Sequence, residues 1–282
     1  MFKKRSGNSL FPFILIAVVG YLIIFSEEEN PSPPKNSSHL PSQRESAIER
    51  LKVSNSPPSL FYANTPLSDN WPNEQQTSDN DIFTASKELT AKNYYLVLDA
   101  SGSMMDSTCS SGQASKMQSA ISALRYFASQ LPDDANFGLA VFLYGELKEL
   151  LPLGKNNRQE VEKLLVSIVP NGGTPLDQAI DFGYQKLLSQ GKRQQGYGEY
   201  NLVIVTDGLA SGGHHPEHAV ERILKESPVI LHTIGFCIAQ DHSLNRPGLT
   251  LYRSANDPES LKQGLVNVLA ESPEFDLSSF SE

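Results

Sequence analysis

Three short stretches of this chain carry oxygen-bearing side chains at spacings that suit one small cation. The first is Asp99-Ala100-Ser101-Gly102-Ser103, in which Gly102 permits a sharp turn that sets both hydroxyls on one side. The second is Asn171-Gly172-Gly173-Thr174-Pro175-Leu176, a glycine loop that presents Thr174 just ahead of a helix. The third is Thr206-Asp207-Gly208. Together Asp99, Ser101, Ser103, Thr174 and Asp207 offer two carboxylates and three hydroxyls. Such an all-oxygen set suits a hard divalent cation, Mg²⁺ or Mn²⁺, rather than zinc or copper. Mg²⁺ takes near-octahedral oxygens at about 2.0–2.1 Å and gives up its waters reluctantly. Neutral hydroxyls in contact, with carboxylates acting partly through water, would leave the ion electron-poor and open to an anionic ligand.

Each stretch taken alone has a plainer explanation. Asp-x-Ser-x-Ser and Gly-Gly-Thr-Pro both make ordinary helix starts, and Asp-Gly after a strand makes an ordinary turn. Placement is what argues for a site. From Tyr94 onward short apolar runs suited to buried strands lie at Tyr94–Ala100, Phe137–Tyr144, Leu202–Thr206 and Val229–Phe236. Leu147–Leu151 turns back antiparallel through Gly145-Glu146, and Leu249–Tyr252 forms a short edge strand. Apolar residues at 117, 120, 121, 124, 127, 128 and 131 mark one face of a helix over Gln113–Leu131. Further helices are expected at Arg158–Ile168, Pro175–Ser189, His215–Lys225 and Pro258–Leu269. This alternation predicts an α/β fold: a doubly wound, mostly parallel sheet with helices on both faces and one short antiparallel edge strand. In the common order 3-2-1-4-5-6, ligands bind beyond the carboxyl ends of strands one and four, where the order reverses. Asp99 ends strand one and Asp207 ends strand four, so the two carboxylates should converge there.

At these residues the chain resembles the von Willebrand factor type A (VWA) family. Asp99-x-Ser101-x-Ser103, Thr174 and Asp207-Gly208 match, in order and spacing, that family's metal-ion-dependent adhesion site, the MIDAS motif. The likeness covers roughly residues 92–270. It implies that Ser101, Ser103 and Thr174 contact the ion directly, while Asp99 and Asp207 hold it mainly through water. It further implies that an Asp or Glu of a partner protein completes the coordination. The wording Asp-Ala-Ser-Gly-Ser-Met and Gly-Gly-Thr-Pro-Leu looks like bacterial membrane-anchored members more than integrin ones.

The rest of the chain bounds the setting. With 282 residues, 39% of them hydrophobic, the chain can support a real core. Its net charge of −9 leaves no basic surplus to neutralise phosphates, which argues against nucleic acid. Two cysteines, Cys109 and Cys237, rule out a disulfide-dense scaffold and a Cys-rich zinc module. Both fall at the carboxyl edge. A bridge between them is one reading, and a buried Cys237 beside an exposed Cys109 is the other; spacing does not decide.

Lys3, Lys4 and Arg5 precede an uncharged apolar run from Leu10 to Phe25, and Glu27, Glu28 and Glu29 follow it. A helix of that length rises about 24 Å. With Asn8, Ser9 and Ser26 in the interface it comes close to spanning a core of about 30 Å. The flanks predict residues 1–9 in the cytoplasm, 10–26 as a transmembrane signal anchor, and the remainder outside, on the periplasmic side of a bacterial inner membrane. A cleaved signal peptide is the competing reading, although Ile23-Ile24-Phe25-Ser26 offers no small-x-small site and Val18-Val19-Gly20 is a poor one. Residues 27–92, rich in Pro, Ser, Asn, Gln and Glu, read as a disordered tether, 93–272 as the folded domain and 273–282 as a tail.

Other clusters rank lower. His214, His215 and His218 with Glu217 suggest zinc, but no further ligand follows at the usual spacing, and His215-Pro216 reads as a helix opening. Asp106, in the loop after Ser103, reads as a solvated loop residue. The expected function is therefore cation-dependent binding of a protein partner that presents Asp or Glu, without turnover. The alternative is a metal-dependent hydrolase or phosphotransferase. Against it, the chain lacks Gly-x-x-x-x-Gly-Lys-Ser/Thr and Gly-x-Ser-x-Gly, and residue 101 is serine rather than the second aspartate of a phosphatase pair. No His or spare carboxylate is tied to the motif as a general base. A third reading, co-subunit of an AAA+ ATPase as some VWA proteins are, conflicts with the expected topology.

Overall fold

Strand β1 (Lys92–Asp99) is buried along nearly its whole length and sends alternate side chains into two cores. Tyr94, Leu96 and Leu98 enter one core, Tyr95 and Val97 the other. A strand apolar on both faces needs cover from both sides, and that requirement organises the molecule. The computed structural model describes residues 71–72, 85–238 and 242–271. These belong to one compact unit within residues 58–282. The expected anchor at 10–26, most of the expected tether and the tail at 273–282 lie outside the described residues. Among the described residues, no helix is long and apolar enough to cross a membrane.

Strands β2 (Asn136–Leu143), β3 (Glu146–Gly154), β4 (Glu199–Thr206), β5 (Ile230–Phe236) and β6 (Leu251–Ala255) complete a sheet of order β3-β2-β1-β4-β5-β6. Among the described strands only the β2–β3 pair is antiparallel. Both the doubly wound order and the antiparallel edge agree with the sequence pattern. Strand β3 outruns the expected Leu147–Leu151 because its pairing with β2 continues past register shifts between Phe137 and Ala140.

Helices α1 (Lys116–Gln130), α2 (Arg158–Leu165) and α5 (Pro258–Ala270) cover one face through Met117, Phe127, Val161, Leu165, Leu261 and Leu265. Helices α3 (Leu176–Arg193) and α4 (Pro216–Glu226) cover the other through Ile180, Tyr184, Val220 and Ile223. Gly183 lets α3 settle onto the sheet, since a Cβ there would fall 2.4 Å from Leu202 Cδ1. Helix α1 starts at Lys116 rather than Gln113, because Ser115 is its cap and accepts from the Gln118 amide. Part of the stretch expected to be tether packs on the domain. Trp71 lies edge-on to Tyr200 with ring centroids 4.7 Å apart, and the Ser86 amide donates to the Arg193 carbonyl at 2.7 Å.

Candidate metal centre

All five residues singled out in the sequence lie at the carboxyl edge, around the ends of β1 and β4, where the strand order reverses. Asp99 closes β1 and is fully buried. Its Oδ1 accepts from the Ser101 amide and its Oδ2 from the Thr206 hydroxyl, both at 2.7 Å. A single 3-10 turn, Gly102–Met105, then carries Ser103 outward. The Ser101 and Ser103 hydroxyl oxygens stand 3.0 Å apart, and the Ser103 hydroxyl donates to Asp207 Oδ1 at 2.6 Å. Adjacent ligands of an octahedral ion with bonds of about 2.1 Å are themselves about 3.0 Å apart. The two serine oxygens, hydrogen-bonded to each other, have the spacing that one octahedral edge would need.

Backbone hydrogen bonds join the glycine loop to this turn. The Gly102 amide donates to the Gly172 carbonyl at 3.0 Å, and the Asn171 amide to the Ala100 carbonyl at 2.8 Å. The Tyr144 amide donates to the Asn171 carbonyl at 2.8 Å. Gly172 has φ +90° and lies so close to the Tyr144–Gly145 backbone that a Cβ would come within 2.5 Å of the Gly145 nitrogen. Only glycine fits there. The Thr174 amide donates to the Ser211 hydroxyl at 2.7 Å, and its carbonyl accepts from the Ser211 amide at 3.0 Å. Its own hydroxyl sits beside Gly208, the neighbour of Asp207.

Burial pushes the Asp99 carboxyl up to about 6, against the lowering effect of its bonds from Ser101 and Thr206 and with a further push from the charge of Asp207. A carboxylate at this depth is costly without a compensating positive charge, and a divalent cation beside it is one form of compensation. Asp207 has another. The Lys116 ammonium, itself buried, donates to Asp207 Oδ2 at 2.8 Å. Sequence reasoning missed Lys116, Thr206 and Ser211 as supports of the site. For Lys116 a signal existed: a cation in the first turn of a helix opposes the helix dipole, and α1 has no acidic residue there. Thr206 and Ser211 carry no comparable mark.

The cysteine question resolves as a disulfide, with the Cα atoms of Cys109 and Cys237 5.9 Å apart. It ties the loop that leads from Ser103 into α1 to the residue after β5, across a separation of 128 residues. Closing so long a loop in the unfolded chain corresponds to about 5 kcal/mol in the chain-entropy model. The histidines make no metal site. His214 Nδ1 is hydrogen-bonded to Asp177 Oδ1 at 2.5 Å, and the His215 and His218 ring centroids are 6.3 Å apart. Among the described residues, no group of three or more His, Cys, Asp or Glu is placed to hold a metal. Asp106 is exposed and its Oδ1 accepts from the Thr108 amide at 2.9 Å, an ordinary loop contact.

The family model of the von Willebrand factor type A domain matches residues 93–266. Among solved structures, the fold is similar to an aerotolerance-related membrane protein from Bacteroides fragilis, at 16% identity and a TM-score of 0.50, covering 63% of this chain and 98% of that one. A von Willebrand factor type A protein from Catenulispora acidiphila has 16% identity and a TM-score of 0.53, covering 65% of this chain and 43% of that one. Proximal thread matrix protein 1 from the mussel byssus, with zinc in its MIDAS motif, has 16% identity and a TM-score of 0.51, covering 64% of this chain and 47% of that one. This chain thus spans nearly all of the first structure and less than half of the other two. At these identities the likeness speaks for the fold. No curated protein matches the sequence. The family match takes in well over half of the chain, and the chain belongs to the VWA family.

Proposed function

We propose that this VWA domain binds Mg²⁺ or Mn²⁺ through Ser101, Ser103 and Thr174, with Asp99 and Asp207 behind them, and uses the ion to hold an Asp or Glu of a protein partner. The observation that carries the reading is the convergence of three hydroxyls and two carboxylates at the strand-order reversal, with the serine oxygens 3.0 Å apart. Three neutral contacts leave a divalent ion short of negative charge, and a carboxylate oxygen is a hard anionic donor suited to it. The surroundings also favour a protein surface over a reaction pocket. Met105, Tyr144 and Leu209 are each more than 60% exposed. They sit on the three loops that end β1, β2 and β4, and exposed apolar residues grouped around a polar centre suit association.

We place the domain outside the cytoplasm, carried by the Leu10–Phe25 anchor. The Cys109–Cys237 disulfide supports that side, because such bonds persist in oxidising compartments. Crosslinking in living cells followed by mass spectrometry tests the function. Partners recovered with the wild type in Mg²⁺ should be lost in EDTA and lost with Asp99→Ala, and free acetate should compete. A partner that stays bound through both EDTA and Asp99→Ala would remove the metal from the contact and end this reading.

A further inference from the structure

Among the described residues, Lys116 is the one charged group hydrogen-bonded to the centre without belonging to the five residues, and its position is an odd one for a lysine. It is the first residue of α1, where its charge opposes the helix dipole, and only 7% of it is exposed. A lysine in a first turn normally extends into water, where solvent screens its charge. Here the backbone holds it in place, its amide donating to the Asp106 carbonyl at 2.7 Å. The side chain turns inward to Asp207 Oδ2 at 2.8 Å. The other oxygen of Asp207 takes the Ser103 hydroxyl. Asp207 therefore has both oxygens engaged, one by a hydroxyl of the centre and one by a fixed positive charge.

The consequence follows from counting charge. Asp99 and Asp207 contribute two negative charges and Lys116 one positive. A divalent ion takes the centre from one net negative charge to one net positive charge, and a carboxylate from a partner brings it to neutrality. Without Lys116 the same centre would be neutral with the ion alone, and an added carboxylate would make it negative. Resting on the metal-centre reading above, we infer that Lys116 tunes the site: it weakens retention of the bare ion and strengthens capture of an acidic ligand, so that the bound ion favours an acidic ligand more strongly than it would without the lysine. Two like charges a few ångströms apart in a partly desolvated site repel strongly enough to change an ion's affinity by about tenfold or more. Lys116 acts through Asp207 and through its field, as a tuning residue rather than a ligand.

The test is calorimetric titration of Mn²⁺ into the full chain, purified in detergent, followed by titration of acetate into the Mn²⁺-loaded protein. Lys116→Gln removes the charge and keeps a donor for Asp207; Lys116→Met removes both; Lys116→Arg keeps the charge. Circular dichroism checks each fold. Lys116→Gln and Lys116→Met should bind Mn²⁺ at least tenfold more tightly than the wild type and acetate at least severalfold more weakly, while Lys116→Arg stays near the wild type in both. A lysine that merely braces Asp207 would give the opposite sign, with Mn²⁺ affinity falling when it is replaced. Unchanged or weaker Mn²⁺ binding in Lys116→Gln, or an equal gain in Lys116→Arg, overturns the inference. Asp99→Ala separates the two levels. If the wild type binds Mn²⁺ and Asp99→Ala does not, the metal centre stands even where the Lys116 variants contradict its tuning. If the wild type binds no Mn²⁺, both fall.

Discussion

At the amino end of the sheet, Asn93 Nδ2 donates to Gln194 Oε1 at 2.7 Å, and Asn136 Nδ2 donates to Asn93 Oδ1 at 2.8 Å. Gln194 Nε2 reaches the Leu89 and Ala91 carbonyls, each at 3.0 Å. At the carboxyl end, Asp99, Asp207 and Lys116 lie beside Ser101, Ser103 and Thr174. Both ends bury polar side chains. The amino-end set is neutral and closes on itself, with amides giving and receiving within one network. The carboxyl-end set is charged, and its serine oxygens retain lone pairs at the spacing of an octahedral edge. A closed neutral network fixes strand positions, whereas hydroxyls converging around charge leave an affinity unspent. On the function proposed above, that difference, more than depth of burial, separates support from site.

The comparison breaks first at Asn93. Asn93→Ala leaves Gln194 and Asn136 buried with lost partners and should lower stability by about 2–4 kcal/mol. Asp99→Ala should cost far less in the metal-free protein, because burying that carboxylate is itself unfavourable. Denaturant unfolding of both variants checks this. An Asn93→Ala protein no weaker than Asp99→Ala would mean the amino-end network is not what holds the strands in place.

A smaller effect sharpens the same contrast. His232, in β5, is buried and its pKa is depressed to about 3, chiefly by burial and secondly by the charge of Arg253. Its Nε2 is paired with Asn201 Oδ1 at 3.0 Å. Unfolded histidine titrates at about 6.5. Between those values the unfolded chain binds a proton that the folded chain refuses, so the stability tied to neutral His232 is whole above about 6.5 and drains away on acidification. The slope is about 1.4 kcal/mol for each pH unit. Unfolding midpoints followed from neutral pH down to about 5 should therefore fall in the wild type and fall less steeply in His232→Gln. Equal slopes would assign the acid sensitivity to other groups.

Much of this contrast was legible in the sequence at one end and little at the other. Tyr94–Ala100 and Leu202–Thr206 are apolar enough to be buried strands, each ends next to an aspartate, and the doubly wound order puts those ends side by side. The amide network was not legible, because Asn93, Asn136 and Gln194 sit far apart in sequence and nothing in their spacing ties them together. Lys116 carried only the mark of a cation in a first turn, and its contact with Asp207 was not legible. Its side-chain direction depends on where α1 begins, and the apolar periodicity reads through Gln113 to Ser115 without marking Ser115 as the cap. The disulfide depends on a Cα separation set by how the loop after Ser103 and the end of β5 pack together. Trp71 sits in a stretch whose composition signals disorder, and one docked aromatic ring leaves that composition unchanged.

The central claim is that the carboxyl-end set holds a divalent cation, and titration of Mn²⁺ followed by electron paramagnetic resonance tests it most directly. Wild type and Asn93→Ala should each bind a single equivalent of ion, since the amino-end network takes no part in the centre. Asp99→Ala, with native circular dichroism, should bind it about 10–100-fold more weakly, the loss expected when a group that orients ligands through water is removed. Absence of Mn²⁺ binding in the wild type, or undiminished binding in Asp99→Ala, would contradict the account.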